Sequence, residues 1–134
     1  MNCLTMVVDS SQSRKFGISK EQLETLLSQP YGLRRLITRK LYFPVQADAD
    51  HLPFQEGIFN DAFSFTVLQN MPKPSQTLAE IRRVTVRGGK MAITGLKKAF
   101  PQTSFHDIVE SSGMAIKAFI DENDINCYLA VLST

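Results

Sequence analysis

Residues 47–63 read ADADHLPFQEGIFNDAF and lead into the apolar run SFTVL. The segment combines a carboxylate at Asp48, a Leu-Pro-Phe turn and the start of an apolar strand at Phe59. A single aspartate before a turn is more often a loop or helix cap, because its oxygens accept hydrogen bonds from nearby backbone N–H groups. The functional alternative is an acceptor that selects ribose hydroxyls or an exocyclic amine.

Apolar runs and helical patterns alternate on both sides of this segment. Hydrophobic patterning predicts strands over residues 3–8, 41–46, 59–68, 91–96, 115–120 and 125–132. It predicts helices over residues 19–27, 33–40 and 75–85, and a last helix from Thr103 or Ser104 to Gly113. Ser75 is expected to cap the third helix, and Gly88-Gly89 to end it.

The order of these elements indicates the fold class. Strands that alternate with helices are typical of an α/β layered, mostly parallel sheet. The last two strands are joined by a short acidic turn at residues 121–124, which predicts a C-terminal antiparallel hairpin. We therefore expect one α/β domain over residues 1–134.

Composition bounds the function. The chain has 134 residues and a net charge of +2, too small a charge to argue for nucleic acid or acidic membranes. Cys3 and Cys127 lie in apolar runs, as expected for reduced buried thiols, and no second cysteine or histidine stands at metal-ligand spacing. No signal peptide or membrane-length apolar stretch is evident, so we expect a cytoplasmic protein with no metal and no membrane segment.

Polar groups follow several predicted strands. Ligands of an open parallel sheet bind beyond the carboxyl ends of its strands. Asp9, Asp48 and the stretch 64–70 fall at such ends. His51 and His106 are expected to be structural or exposed rather than catalytic, and Lys97-Lys98 either meet an anionic substrate such as RNA or form a plain loop.

From Asp48 to Leu96 the sequence resembles the second half of a class I S-adenosylmethionine-dependent methyltransferase. That family has an Asp-Ala, a Leu-Pro-Phe, a Phe opening the fourth strand, a helix ending in Glu-Ile-x-Arg-Val, and a Gly-Gly before the fifth strand. The matching residues here are Asp48-Ala49, Leu52-Pro53-Phe54, Phe59, Glu80-Ile81-Arg82-Arg83-Val84 and Gly88-Gly89.

The resemblance implies a Rossmann-like sheet with helices on both faces, and S-adenosylmethionine as cofactor. It implies that Asp48 accepts from the adenine amine, that Ala49 offers its backbone N–H to the ring, and that Leu52 and Phe65 are apolar walls. Asp9 would hold the ribose. No catalytic residue is implied, and the methyl acceptor stays open among RNA, protein and small molecules.

The sequence departs from the family pattern in several places. Asn60 replaces the usual Asp, Asn70 the frequent His, and residues 85–87 the common Leu-Lys-Pro. The larger departure is that no G-x-G-x-G occurs anywhere in the chain. The resemblance therefore describes a domain that is truncated or minimal at its N-terminus.

Two registers fit the N-terminal part of the chain. In the first, residues 3–9 are the family's second strand, and Asp9 is the ribose acid. In the second, they are the first strand, and residues 9–13 stand in place of the glycine loop. A missing first strand would leave unpaired edges, which predicts a second copy or a partner chain completing the sheet.

Two functions follow from the resemblance. The first is an S-adenosylmethionine-dependent methyltransferase acting on an unidentified acceptor. The alternative is a non-catalytic binding or scaffold protein that kept the fold and lost the glycine-rich cofactor loop.

Overall fold

The computed structural model of the protein describes residues 3–6, 45 and 47–134. The helices predicted over 19–27 and 33–40, most of the strand predicted over 41–46, and Asp9 lie outside the described residues.

Two helices and five strands make up the regular structure of the described residues. The strands are β1 (Cys3–Met6), β2 (Phe59–Ser64), β3 (Thr85–Leu96), β4 (Ala115–Ile120) and β5 (Cys127–Ser133). The helices are α1 (Pro74–Val84) and α2 (Gln102–Ser111), and a 3₁₀ turn covers Leu68–Asn70.

The five strands form one sheet in the order β1-β2-β3-β5-β4. In the part of the chain that the structure describes, β1 and β3 pair with β2 in parallel, and β5 pairs antiparallel with both β3 and β4. This arrangement confirms the predicted α/β fold class and its C-terminal antiparallel hairpin. Two of the four described strand pairings are parallel, so the described part of the sheet is mixed and not mostly parallel.

The position of β1 separates the two registers. β1 pairs directly with β2, from Cys3 opposite Asp61 to Met6 opposite Ser64. In a doubly wound sheet the first strand lies beside the fourth, and the second strand does not. Since β2 is the strand that resembles the family's fourth, this pairing is the one that the second register predicts. The edge of β2 is thus occupied by a strand of the same chain.

The start of α1 differs from the sequence prediction. Lys73 is the N-cap residue, Pro74 follows at the first helical position, and no side chain caps the helix, so the prediction that Ser75 caps it is wrong. Proline suits this position because its fixed φ is helical and its missing N–H would have no partner in the helix.

The end of α1 differs as well. The helix stops at Val84, and Thr85 already begins β3, so Gly88-Gly89 lie inside a strand instead of ending the helix. The strand is irregular there, because its pairing with β2 shifts between Phe59 and Asp61. A Cβ on Gly89 would lie 2.6 Å from the Asn60 carbonyl oxygen, so only glycine allows this close approach.

β2 is shorter than the predicted strand over residues 59–68. It ends at Ser64, and Thr66 has a φ of 56°. A β-branched residue in this left-handed region is a genuine backbone outlier. The chain leaves the sheet at Thr66 although the sequence continues with apolar residues.

The core lies between the sheet and the two helices. Phe105 of α2 is fully buried and stacks on Tyr128 of β5, with 5.5 Å between ring centroids. A Cβ on Gly95 would lie 2.4 Å from the Phe105 ring, so this glycine sets how closely α2 approaches β3. Other fully buried apolar residues are Val67, Leu68, Leu78, Ile81, Val84, Met91, Ile93, Val109, Ala130 and Leu132.

Both described helices lie on the same face of the sheet. Arg82 of α1 donates from Nη1 to the carbonyl oxygen of Ser112, just beyond α2, over 2.8 Å. The helices that the resemblance places on the opposite face fall outside the described residues. Among the helices that are described, none is long and apolar enough to cross a membrane.

Candidate cofactor-binding site

The carboxyl ends of three parallel strands meet at one edge of the sheet. Met6, the last residue of β1, pairs with Ser64, which in turn pairs with Ile93 of β3. The residues that follow Ser64 therefore lie at the edge where open parallel sheets bind their ligands.

The direction of α1 brings a second segment to the same edge. Thr85, directly after α1, pairs with Phe59, the first residue of β2. The C-terminal end of α1 is thus at the amino end of β2, and its first turn is at the carboxyl edge. Thr77, in that first part of the helix, donates from its hydroxyl to Asp50 Oδ1 over 2.6 Å. The segment that contains Asp48 is therefore attached near the carboxyl edge.

Asp48 lies in a tight turn that its own side chain stabilises. Its Oδ1 accepts from the backbone N–H of Asp50 over 3.0 Å, and its Oδ2 is 3.3 Å from His51 Nδ1. The backbone N–H of His51 donates to the Asp48 carbonyl over 3.1 Å. The side chain is 50% exposed, and a carboxylate has about four lone-pair sites, so these contacts leave room for a further donor.

Ala49 and Leu52 lie in the same turn and are buried, at 0% and 8% exposure. Both belong to the hydrophobic core cluster. The structure thus brings together three of the predicted site residues: Asp48, with an exposed carboxylate, and two apolar neighbours that anchor the turn from below.

The residues after Asp48 are held along α1 by hydrogen bonds, and we call residues 50–54 the docked loop. Glu80 Oε1 accepts from the Leu52 N–H over 2.9 Å. Arg83 donates to the carbonyl oxygens of Leu52 and Phe54, over 3.1 and 3.0 Å. Sequence reasoning missed these contacts, although Glu80 and Arg83, three positions apart on a helix, form a recognisable i,i+3 acid–base pair.

Glu80 and Arg83 also bind each other in a bidentate pair. Arg83 Nε donates to Glu80 Oε2 over 2.9 Å, and Nη2 donates to Oε1 over 2.6 Å. The hydrogen bonds from Arg83 lower the pKa of Glu80 below its ordinary value. Glu80 therefore stays ionised, and it accepts hydrogen bonds from both the loop and Arg83.

Phe65 lies at the carboxyl edge but in a separate part of the site. It begins the segment of residues 65–70 after β2, which we call the edge turn. Its ring is 42% exposed and stacks on Phe63, with centroids 5.9 Å apart and an interplanar angle of 18°. The two rings present an aromatic surface at the end of β2.

Neutral hydrogen bonds hold the backbone of the edge turn. The N–H of Thr66 donates to Thr94 Oγ1 of β3 over 2.9 Å, and Asn70 Nδ2 donates to the Thr66 carbonyl over 3.0 Å. Two buried oxygens close by in sequence, Ser64 Oγ and Gln69 Oε1, have no hydrogen-bond partner among the described residues. Buried polar atoms of this kind are rare in proteins and suit a ligand that supplies the missing partner.

Other charged residues have structural partners. Lys97 Nζ is 2.6 Å from Asp121 Oδ1 and also 2.6 Å from the Glu122 carbonyl oxygen. It thus ties the end of β3 to the β4–β5 hairpin, as expected for the plain-loop alternative. The His51 side chain is 75% exposed, in agreement with the sequence prediction.

Three neighbouring side chains on α2 are of residue types that can bind a metal ion. His106, Asp107 and Glu110 each place one ligand atom within 4.8 Å of the others. The two carboxylate residues are exposed, and His106 packs edge-on against Phe119, with 5.4 Å between ring centroids. Exposed acidic clusters on helices are common without a metal, so the absence of a metal site stays a prediction.

Comparison with known proteins identifies the family. The family model described as "Methyltransferase domain" matches residues 16–93, more than half of the chain. The chain belongs to the methyltransferase domain family. A ubiquinone/menaquinone biosynthesis C-methyltransferase of Chromobacterium violaceum is 30% identical over 99 residues, which cover 72% of this chain and 41% of that protein. The chain thus spans less than half the length of this relative.

Solved structures agree with the methyltransferase domain fold. A SAM-dependent methyltransferase from Aquifex aeolicus matches with a TM-score of 0.64 at 13% identity, over 86% of this chain and 64% of that one. The [4+2]-cyclase SpnF matches with a TM-score of 0.61 at 19% identity, over 81% of this chain and 44% of that one. At these identities the likeness concerns the fold alone.

These findings confirm the class I methyltransferase resemblance, the Rossmann-like fold and S-adenosylmethionine as the cofactor of the family. The Asp48 turn provides an exposed carboxylate above two buried apolar residues. Asp9 lies outside the described residues, and the roles of Asp48, Ala49, Leu52 and Phe65 stay predictions.

Proposed function

We propose that the chain binds S-adenosylmethionine at the carboxyl edge of β1, β2 and β3 and transfers its methyl group to an acceptor. Asp48 accepts a hydrogen bond from the adenine amine, and the backbone N–H of Ala49 donates to the ring. Leu52 and Phe65 provide apolar contacts. The cofactor supplies the electrophilic methyl group, and the protein contributes positioning and the exclusion of water.

Asp9 is included in the proposal because of its position after β1, and this reason does not depend on the first register. It follows Met6 by three positions, and ligands of parallel sheets bind beyond the carboxyl ends of the strands. A carboxylate there suits the two hydroxyls of a ribose.

The Asp48 turn is the observation that carries the proposal. Its carboxylate is half exposed, oriented by the N–H of Asp50 and attached to α1 near the carboxyl edge through Asp50 and Thr77. A cap alone needs only the Asp50 contact, which uses one oxygen. Among the described residues, the contact of the second oxygen is with His51, a side chain that is itself mostly exposed.

Calorimetry with S-adenosylhomocysteine and its 6-oxo analogue, S-inosylhomocysteine, tests the proposal. The wild-type chain is expected to prefer the amine, because an acceptor carboxylate repels a ring carbonyl. Asp48→Ala should lose about 1–3 kcal/mol of binding free energy and most of the preference. Asp107→Ala, an exposed aspartate on α2, is the matched control and should bind like the wild type. Equal affinity of wild type and Asp48→Ala would reject the role of Asp48.

The non-catalytic alternative has one specific observation in its favour. The chain contains no G-x-G-x-G motif, and this loop normally lets the cofactor approach the backbone closely. No heat of binding with either nucleoside at millimolar concentration would favour this alternative over the enzyme.

The acceptor is proposed from the relative and the edge turn together. The Chromobacterium violaceum relative is named a C-methyltransferase of ubiquinone and menaquinone biosynthesis. The exposed, stacked Phe63 and Phe65 rings offer a surface on which a flat aromatic acceptor can stack. A hydroquinone is therefore the first acceptor to test, by mass spectrometry of the product. Methylation of an amine or RNA but not of the hydroquinone would reject this acceptor class.

The oligomeric state is the remaining proposal about partners. β4 is an outer strand of the described sheet, and its pairing with β5 is interrupted between Ile116 and Ala118. Such a bulge hinders edge-to-edge pairing of sheets. Because β1 already occupies the edge of β2, we propose that no second copy is needed there. Light scattering of the chain should show a monomer, and a dimer would reject this.

A further inference from the structure

A polar stripe on α1 follows the docked loop step by step. Thr77, Glu80 and Arg83 are spaced three positions apart and lie on one side of the helix. Thr77 binds the Asp50 side chain at the start of the loop, and Arg83 binds the Phe54 carbonyl at its end. The stripe thus holds the loop along two turns of helix.

The middle of the docked loop is fixed through its backbone. The Leu52 N–H donates to Glu80 Oε1, and the Leu52 carbonyl accepts from Arg83 Nη2. Because both backbone groups of one residue are bound to the same ion pair, the loop cannot shift along or rotate against the helix without breaking charge-assisted hydrogen bonds. Such bonds are about twice as strong as neutral ones.

The ion pair is built to act as a unit. Glu80 is only 16% exposed and receives three hydrogen bonds, two from Arg83 and one from the loop. Arg83 donates to Glu80 and to two loop carbonyls at once, which uses the fixed fork of a guanidinium. The described hydrogen bonds of both side chains go to the docked loop or to each other, and none goes to the residues at the carboxyl edge of the strands.

We propose that Glu80 and Arg83 are positioning residues for the cofactor, which act through the docked loop. Asp48 stands four positions before Leu52, on the continuous turn that the pair holds in place. Holding Leu52 keeps the Asp48 carboxylate at the carboxyl edge before the cofactor arrives, so less ordering is needed on binding. The inference rests on the proposed function, since it assumes that Asp48 meets the adenine.

Calorimetric titration with S-adenosylhomocysteine of matched arginine variants tests the inference. Arg83→Met removes the hydrogen bonds to the loop and keeps the apolar stem. Arg82→Met, the control on the preceding residue, removes the described hydrogen bond to the Ser112 carbonyl and leaves the docked loop untouched. Arg83→Met is expected to weaken binding by about tenfold or more, and Arg82→Met by less than about twofold. Equal affinities of the two variants, both folded by thermal melting, would overturn the positioning role.

A double-mutant cycle separates positioning from general destabilisation. If Arg83 acts through Asp48, Arg83→Met should cost little further affinity in the Asp48→Ala background. Losses that simply add would overturn the inference. Arg83→Lys keeps the positive charge but loses the forked geometry of the guanidinium, so its affinity should stay as low as that of Arg83→Met. It takes the place of Arg83→Met in these experiments if that variant fails to fold.

Hydrogen exchange in the ligand-free chain distinguishes failure of this inference from failure of the proposed function. The Leu52 amide should exchange faster in Arg83→Met than in the wild type or Arg82→Met. Faster exchange, with no S-adenosylhomocysteine binding by the wild type, would reject the cofactor function and with it the positioning role. Intact binding in Arg83→Met despite faster exchange would reject the positioning role alone.

Discussion

The docked loop and the edge turn lie at the same side of the sheet and are held by different means. The docked loop is bound by an ion pair whose hydrogen bonds reach its backbone at Leu52 and Phe54. The edge turn has an outlier φ at Thr66 and is held by neutral hydrogen bonds. One buried oxygen without a described partner lies within it, at Gln69, and another lies just before it, at Ser64.

The difference matches the two tasks that the proposed function assigns to these regions. A cofactor has one structure, so the side that binds it gains from being held rigidly before binding. Strained backbone, in contrast, clusters where a protein contacts a ligand or changes shape. We therefore expect the docked loop to be the more stable region. In the edge turn, we expect substitution of a single neutral side chain to change the free energy of unfolding.

Removing the acid of the ion pair should have the largest effect. Glu80→Ala leaves Arg83 and the Leu52 N–H without their acceptor, and the unfolding free energy is expected to fall by about 2–3 kcal/mol. Urea denaturation measures this, and limited proteolysis should cut the docked loop first. Glu110→Ala, whose described side-chain contact is a 3.8 Å approach to His106, is the control. A loss no larger than that of the control would remove the contrast between the two regions.

Removing the hydroxyl that holds the edge turn should have the next largest effect. Thr94→Val leaves the Thr66 N–H without its acceptor in a site where Thr94 is 7% exposed. We expect a loss of about 1 kcal/mol in urea denaturation, because a partly buried donor then lacks its partner. Thr94→Ser keeps the hydroxyl and should lose less. Identical stability of the two variants would show that the hydrogen bond contributes nothing.

Relieving the backbone outlier should stabilise the protein slightly. Thr66→Gly removes a cost of about 1–3 kcal/mol for the left-handed backbone, offset by about 0.5–1 kcal/mol from the greater freedom of glycine in the unfolded chain. A net gain of about 1 kcal/mol should appear as a higher melting temperature. Thr66→Asn, which tolerates this φ and keeps a side chain, should also gain. A lower melting temperature in both variants would show that Thr66 is not strained.

The smallest expected effect is the loss of stability at acid pH, when Glu80 becomes protonated. Arg83 lowers the pKa of Glu80 in the folded chain, so the ion pair stabilises the protein above the ordinary pKa of a glutamate. This contribution is lost as the pH falls through the lowered value. Since Arg83 is 37% exposed, solvent screens the pair and the effect is modest. Melting temperatures of wild type and Glu80→Gln should converge in acid. A constant difference across the pH range would contradict the role of Glu80 ionisation.

Local patterns in the sequence predicted most of the described elements. The last strand, predicted over residues 125–132, is found at Cys127–Ser133, and the helix predicted from Thr103 or Ser104 begins at Gln102, with Phe105 and Val109 buried as expected. The boundaries that were wrong depend on neighbours. Gly88-Gly89 stay in β3 because that strand pairs with β2, and the backbone approaches too closely for a side chain. Thr66 leaves the sheet at a conformation that its residue type does not favour.

The candidate site divides in the same way. The sequence predicted Asp48, Ala49 and Leu52 as a group because they lie close together along the chain. It did not predict that Glu80 and Arg83, about thirty positions later, bind the backbone of that group. Backbone carbonyls and N–H groups carry no residue type, so no sequence pattern shows which side chain they meet.

The sequence by itself determined the fold class, the family and the segment that we propose for the adenine side of the site, because these follow from patterns and motifs of neighbouring residues. Only the tertiary structure decided that β1 lies beside β2, and that α1 holds the docked loop. Strand order and contacts between distant segments depend on how the chain packs. Several packings satisfy the same local pattern, and the sum of pairing and burial over the whole sheet selects one of them.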